Sequence, residues 1–168
     1  MNHTVSVLVE NRPGALARVS NLFARRGFNI ESLAVGPTER HDVSRITLCV
    51  KCSSGALEQL EKQMHKLVNV LSVSTLEGAV ERELALVKVR AASGRRAELL
   101  ALAEVFHARV ADLGPEAIVF EVVGTPEELD SFEELVGPHG IVELARTGRI
   151  GLGCASADRT PRPQHVLR

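Results

Sequence analysis

Residues 4 to 10, TVSVLVE, put Val5, Val7 and Val9 on one face of an alternating run, which predicts a half-buried strand. A tight NRPG turn follows. Leu16, Val19, Leu22 and Phe23 then recur at helical spacing, with Arg18, Arg25 and Arg26 mostly off that stripe. Arg25 and Arg26 suit the negative end of the helix dipole, and Gly27 is a natural stop. NIESLAV (29 to 35) reads as a second strand and GPTERHD as a loop. VSRITLCVK (43 to 51) alternates again through Ile46, Leu48 and Val50. Leu57, Leu60, Met64 and Leu67 mark a second amphipathic helix, and NVLSVSTL a fourth strand.

After EGAVERE, expected to be a polar hinge, the same order returns. LALVKVRA is a strand. Leu99, Leu102, Ala103 and Phe106 line a helix, with Ser93 in its expected cap region. RVADL ends at Gly114-Pro115, and AIVFEVV alternates Ile118, Phe120 and Val122. TPEELDSF spells a capping box, with Thr125 as N-cap, Pro126 in the first turn and Glu128 reaching back. Leu129, Phe132, Leu135 and Val136 form the apolar face of that helix, Gly137-Pro138 ends it, and IVELAR is the last strand. Each half is a βαββαβ unit, so the expected fold is α+β, two tandem ferredoxin-like modules. The expected boundaries are 1–77, 78–153, and a mobile tail at 154–168, where SADRTPRPQHVLR carries little apolar content.

Modules of about 75–80 residues are marginal as lone cores. A ferredoxin-like sheet also has helices on one face only, and its edges need cover. Association through edge strands is therefore expected, with a homodimer as the default.

Composition narrows the function. A net charge of -1 supplies no field to hold a polyanion. Aromatics are 3%, with no Trp and no Tyr, which argues against base-stacking nucleic-acid readers of this topology. The N-terminal residues show no secretory pattern and no apolar run approaches a membrane span, so a reduced, cytoplasmic location is expected.

The candidate site is the stretch ENRPGALARVSNLFARRGFNIESL (10 to 33). A helix N-terminus offers unpaired N–H groups and partial positive charge, here on Gly14, Ala15 and Leu16. Gly14 lets a ligand approach the backbone, and Pro13 sets the chain's entry to the turn. A carboxylate fits such a place. Asn11 adds an amide able to meet either a carboxylate or an ammonium group. Asn29 is expected at the same end of the sheet. There is no nucleophile–base pair: these are fittings for holding a small zwitterion, not for converting one. The same residues are also simply a good turn and helix start.

The stretches at 6–39, 44–50 (SRITLCV), 57–73 and 80–91, above all RRGFNIESLAVG and ERELALVKV, resemble the ACT domain and, more closely, the small regulatory subunit of acetohydroxyacid synthase (acetolactate synthase). A weaker likeness runs through GTPEELDSF and IVELARTGRIGL, so the resemblance covers roughly residues 4 to 152. It implies a non-catalytic chain without a cofactor of its own. The partner would be a catalytic large subunit carrying thiamine diphosphate, a divalent metal (Mg) and FAD. The chain would raise that subunit's activity and make it sensitive to branched-chain amino acids, usually valine, with leucine or isoleucine as alternatives. The resemblance places the effector at an interface between paired ACT domains and carries effector contacts onto Asn11, Gly14 and Asn29, with Leu16 and Ile30 as apolar neighbours. The second module has AASGRR where the first has ENRPG and is assigned no effector site. The alternative reading is a stand-alone ACT-type sensor acting on another enzyme or regulator.

Other motifs carry less. In CVKC (49 to 52), Cys49 and Cys52 sit three apart on a strand, hence on opposite faces, and no second pair supports zinc. The six histidines show no helical metal spacing. GRIGLG (148 to 153) does not match a dinucleotide loop.

Overall fold

Strand β1 (Asn2–Glu10) enters the interior through Val5, Val7 and Val9, and helix α1 (Ala15–Arg26) returns over it on Ala15, Val19 and Phe23. The structure, a computed structural model, describes residues 2–92 and 94–155; the cap expected at Ser93 and the tail beyond 155 lie outside it. The first module continues with β2 (Ile30–Pro37), β3 (Val43–Lys51), α2 (Ser54–Met64) and β4 (Val70–Thr75). Its sheet order is β2-β3-β1-β4, with every neighbouring pair antiparallel. Both helices cover one face. The core gathers Val5, Val7 and Val9 with Ile46, Leu48 and Val50 beneath Phe23, Leu60 and Met64. Each such side chain, fully buried, contributes about 1.5–3 kcal/mol. Cys52 packs against this core, whereas Cys49 shares the opposite face with Thr47 and Thr4.

The second module repeats the plan with β5 (Val80–Arg90), α3 (Arg96–Val105), β6 (Arg109–Leu113), β7 (Ala117–Gly124), α4 (Pro126–Val136), a 3-10 turn (Gly137–His139) and β8 (Ile141–Arg146), in the order β6-β7-β5-β8. Its core is built on Val87, Val89, Ile118 and Phe120 under Leu99, Leu129 and Phe132. These are two ferredoxin-like βαββαβ modules. The chain divides into two compact units: residues up to 81 together with the segment from 149, and Arg82–Gly148. A last short strand, β9 (Ile150–Leu152), pairs with β5.

Local chemistry explains the element ends. Gly27, at φ 70°, closes α1, and the Phe28 N–H returns to the Phe23 carbonyl at 3.0 Å. In the second module His107 takes that left-handed role at φ 52°, with Ala108 N–H donating to Ala103 O at 2.8 Å. The capping box at α4 is present as read: Thr125 Oγ1 accepts from the Glu128 N–H, and Glu128 accepts from the Thr125 N–H.

Three expectations change. IVELAR, expected as the last strand, is followed by β9, whose three residues are too few for alternation to announce a strand. Helix α2 ends at Met64, and Leu67 reaches the core from the turn that follows, its N–H on Met64 O at 3.0 Å. The segment expected as a polar hinge is half strand, because β5 already starts at Val80. A strand can include Glu83, only 5% exposed, because Arg146 on β8 is aimed at it. The Arg146 guanidinium also pairs with Asp130 and Glu133 of α4.

That node holds three carboxylates and one guanidinium. Burial, with Asp130 and Glu83 nearby, raises the Glu133 pKa above the usual carboxylate range despite Arg146. A carboxyl whose pKa is higher folded than unfolded favours the folded state when protonated, and that gain is lost as pH rises through the folded value. Glu133→Gln should therefore melt above the wild type at pH 7. The difference should shrink as pH falls and Glu133 itself takes a proton, which calorimetric melting across pH 4–7 checks.

Candidate functional site

At the C-terminal end of β1 the backbone reverses through Asn11, Arg12, Pro13 and Gly14. The Asn11 N–H donates to Asp42 O at 2.8 Å, pinning this loop to the β2–β3 loop. Gly14 occupies the N-cap of α1 at φ 85°, a conformation other L residues adopt only with strain, and a Cβ built there meets nothing within 4 Å. Helices α2 and α4 are capped by their own Ser53 and Thr125 side chains. Helix α1 has neither a side-chain cap nor an acidic residue in its first turn. Its Leu16 and Ala17 N–H groups find no acceptor among the described residues and lie on exposed positions. The result is an open, partly positive helix start suited to a carboxylate.

The expected donors shift by one residue. Ala15 is buried, and its N–H closes the turn on Arg12 O at 3.3 Å, so the outward donors are those of Gly14, Leu16 and Ala17. Asn11 also becomes more specific. Its Nδ2 donates to His41 O at 3.1 Å, which uses part of its donor capacity and leaves Oδ1 to serve as an acceptor, the role an ammonium partner needs. Alongside, Arg40 donates to Asp42 at 2.7 Å, and that hydrogen bond holds the Asp42 carboxyl below the usual range. Pro13 and Leu16 are exposed beside the helix start.

Asn29 and Ile30 are elsewhere. The expectation that Asn29 shares the Asn11 end of the sheet is corrected by the strand register. Glu10 pairs with Val43, whereas Ile30 pairs with Val50, which pairs with His3. The reason is topological: β1 and β2 both run antiparallel to β3, so they are parallel. Helix α1 carries the chain back to the bottom of the sheet before β2 begins. Seven strand residues separate the two ends, about 23 Å at about 3.3 Å each. At its own end, Asn29 donates from Nδ2 to Glu31 Oε1 at 3.0 Å, and Ile30 packs half-buried on the first core.

Sequence reasoning passed over His41, Asp42 and Glu31. The first two could have been placed, since a strand returning antiparallel beside β1 brings the β2–β3 loop to the Asn11 end. Glu31 sits at a register shift between Ile30 and Ser32 that no local pattern announces.

The matching place in the second module is closed. The Ala91 N–H donates to Glu116 O at 2.9 Å, as Asn11 does to Asp42. The Arg96 guanidinium then ties to the carbonyls of Ala91 (3.2 Å), Gly114 (2.6 Å) and Pro115. A cation in the first turn opposes the helix dipole, and these carbonyls offset that cost. The loop is thus filled by the chain's own side chain.

Among the described residues no group of His, Cys, Asp and Glu could hold a metal ion, and no helix is long and apolar enough to cross a membrane.

An open glycine turn at a helix N-terminus on a βαββαβ sheet is the architecture of an ACT-type module. Comparison agrees: residues 5–72 match the model of the AHAS small subunit-like ACT domain, and residues 82–154 that of the small subunit of acetolactate synthase. A probable acetolactate synthase small subunit of Archaeoglobus fulgidus is 47% identical over 153 residues, spanning 90% of this chain and 96% of that one. The acetolactate synthase small subunit of Mycolicibacterium smegmatis is 47% identical over 162 residues, 95% and 92% of the two chains. The crystal structure of the small subunit from Thermotoga maritima superposes with a TM-score of 0.84 at 39% identity, over 90% of this chain and 96% of that one. The chain belongs to the acetolactate synthase small-subunit family.

Proposed function

We propose that this chain is the non-catalytic regulatory subunit of an acetohydroxyacid synthase. It stimulates the catalytic large subunit and confers feedback inhibition by a branched-chain amino acid, valine first. The thiamine diphosphate, magnesium and FAD chemistry belongs to the partner. The observation that carries the effector reading is the uncapped start of α1 at Gly14, with the exposed Asn11 amide beside it.

The effector site is shared between two chains. One chain keeps Asn11, Gly14 and Leu16 at one end of its sheet and Asn29 and Ile30 at the other, too far apart for one amino acid to touch both. Strand β2 is a sheet edge, and on its helix side Leu33 and Val35 are 36% and 48% exposed. Two copies paired antiparallel along β2 about Leu33 set Asn29 of one beside Pro37 of the other. Pro37 pairs with Ser44, next to the Glu10–Val43 pair at the Asn11 end. The dyad then joins the carboxylate-binding turn of one chain to the Asn29 half of its partner, and makes two such sites. Binding across the dyad favours one dimer arrangement over another, which a regulatory coupling of about 1–3 kcal/mol requires.

The test is co-expression with a thiamine-dependent large subunit, with rates measured with and without valine, leucine and isoleucine. The rate should rise when this chain is present and fall with valine. A large subunit neither stimulated nor made valine-sensitive would overturn the proposal, and effector binding without any such effect would favour a stand-alone sensor.

A further inference from the structure

The glycine-containing segment GRIGLG is not a nucleotide loop; it returns to the first module. Arg149 N–H lies 3.5 Å from Ser32 Oγ on β2, and the Arg149 guanidinium lies 3.6 Å from the Glu81 carboxylate. Two residues on, a Cβ at Gly151 would come within 2.7 Å of Leu76 Cδ1 and 3.5 Å of Glu81 Cγ, so the segment passes close over Leu76 and any side chain there would push its tip aside. Cys154 Sγ donates to Gly78 O at 2.8 Å.

Two of these anchors, Ser32 and Leu76, share one line. Ser32 pairs with Cys49, Cys49 pairs with Thr4, and the Leu76 N–H donates to Thr4 O at 2.8 Å. Arg149 and Gly151 therefore meet the two ends of a single cross-strand row on the helix-free face. That row lies next to the Ile30–Val50–His3 row, at the Asn29 end of the sheet. Between Ile30 and Ser32 the register shifts, and the bulged Glu31 holds Asn29. Bulges are deformable points that re-aim a strand. The chain crosses between its two units at 81–82 and at 148–149, and the Glu81–Arg149 pair ties those crossings together.

We propose that residues 149–154 form a strap that senses occupancy of the Asn29 half-site and passes it to the second module, with Ser32 and Arg149 as its positioning residues. The proposal rests on the effector reading above. An effector that engages Asn29 draws it from Glu31, the bulge resets, and Ser32 moves under the strap. Because the strap and Glu81 are the chain's two routes into the second unit, a change there alters what that unit presents to the catalytic subunit.

The experiment uses the full chain in complex with its catalytic subunit, comparing wild type with Ser32→Ala and Arg149→Gln and using valine as the probe. Both variants should bind valine within about threefold of wild type by calorimetry and still stimulate the enzyme, while the valine concentration for half-inhibition rises about tenfold or the maximal inhibition falls by more than half. Hydrogen exchange supplies the second readout: valine should change protection at 147–155 in wild type and not in Arg149→Gln. Unchanged inhibition in both variants, or loss of valine binding together with inhibition, would overturn the strap and leave the effector reading standing. A wild-type complex that neither binds nor responds to valine would overturn the effector reading and the strap with it.

Discussion

A Gly14→Asp chain is expected to fold and to stimulate its catalytic partner, yet to leave the complex almost blind to valine. Gly14 sits at φ 85°, where a Cβ costs roughly 1–2 kcal/mol, and that Cβ meets no atom within 4 Å. The substitution is therefore strained but not blocked, and the module's stability should survive. Its effect falls on the ligand. The new carboxylate enters the place where the Leu16 and Ala17 N–H groups point. Two like charges about 4 Å apart near a protein surface repel by about 4 kcal/mol before salt screening. If half of that is lost to solvent, binding still weakens about 30-fold. Valine titration of the mutant complex checks this, and a wild-type inhibition curve would remove Gly14 from the site. Asn29→His should act on the other half in the same assay.

Mixing two silent variants is expected to restore binding. If each site takes Gly14 from one chain and Asn29 from its partner, a homodimer of Gly14→Asp and a homodimer of Asn29→His both bind poorly. Refolded or co-expressed together at equal levels, half of the dimers are mixed. Each mixed dimer carries one intact and one doubly altered site, so about a quarter of all sites recover wild-type affinity. Calorimetry on the mixture against the two separate homodimers reads this directly. A mixture no better than its parents would place the whole site within one chain, against the strand register.

Much of this was legible in local pattern. Alternation at Val5, Val7 and Val9, helical spacing from Val19 to Phe23, the left-handed Gly27 stop and the Thr125–Glu128 box each involve residues within a few positions of one another. The open character of Gly14 was legible for the same reason, since a glycine after proline at a helix start with no capping side chain announces unpaired N–H groups. The weaker readings all concerned partners far along the chain. Glu83 looked like part of a hinge because Arg146, which offsets its burial, lies 63 residues away. The Arg96 plug needed the carbonyls of Gly114 and Pro115, and the 149–154 strap needed Ser32.

By itself the sequence determined the two βαββαβ repeats, their order and the helix ends, because backbone dihedrals, caps and hydrophobic periodicity act over a few residues. Only the tertiary structure decided which end of the sheet each loop occupies. A helix between parallel strands must travel the length of the sheet, so Asn29 begins its strand where β1 began rather than where β1 ended. That separation, set by strand direction and not by residue type, is the physical reason a second copy of the chain is part of the proposed site, at the kind of interface between paired domains that the resemblance implies.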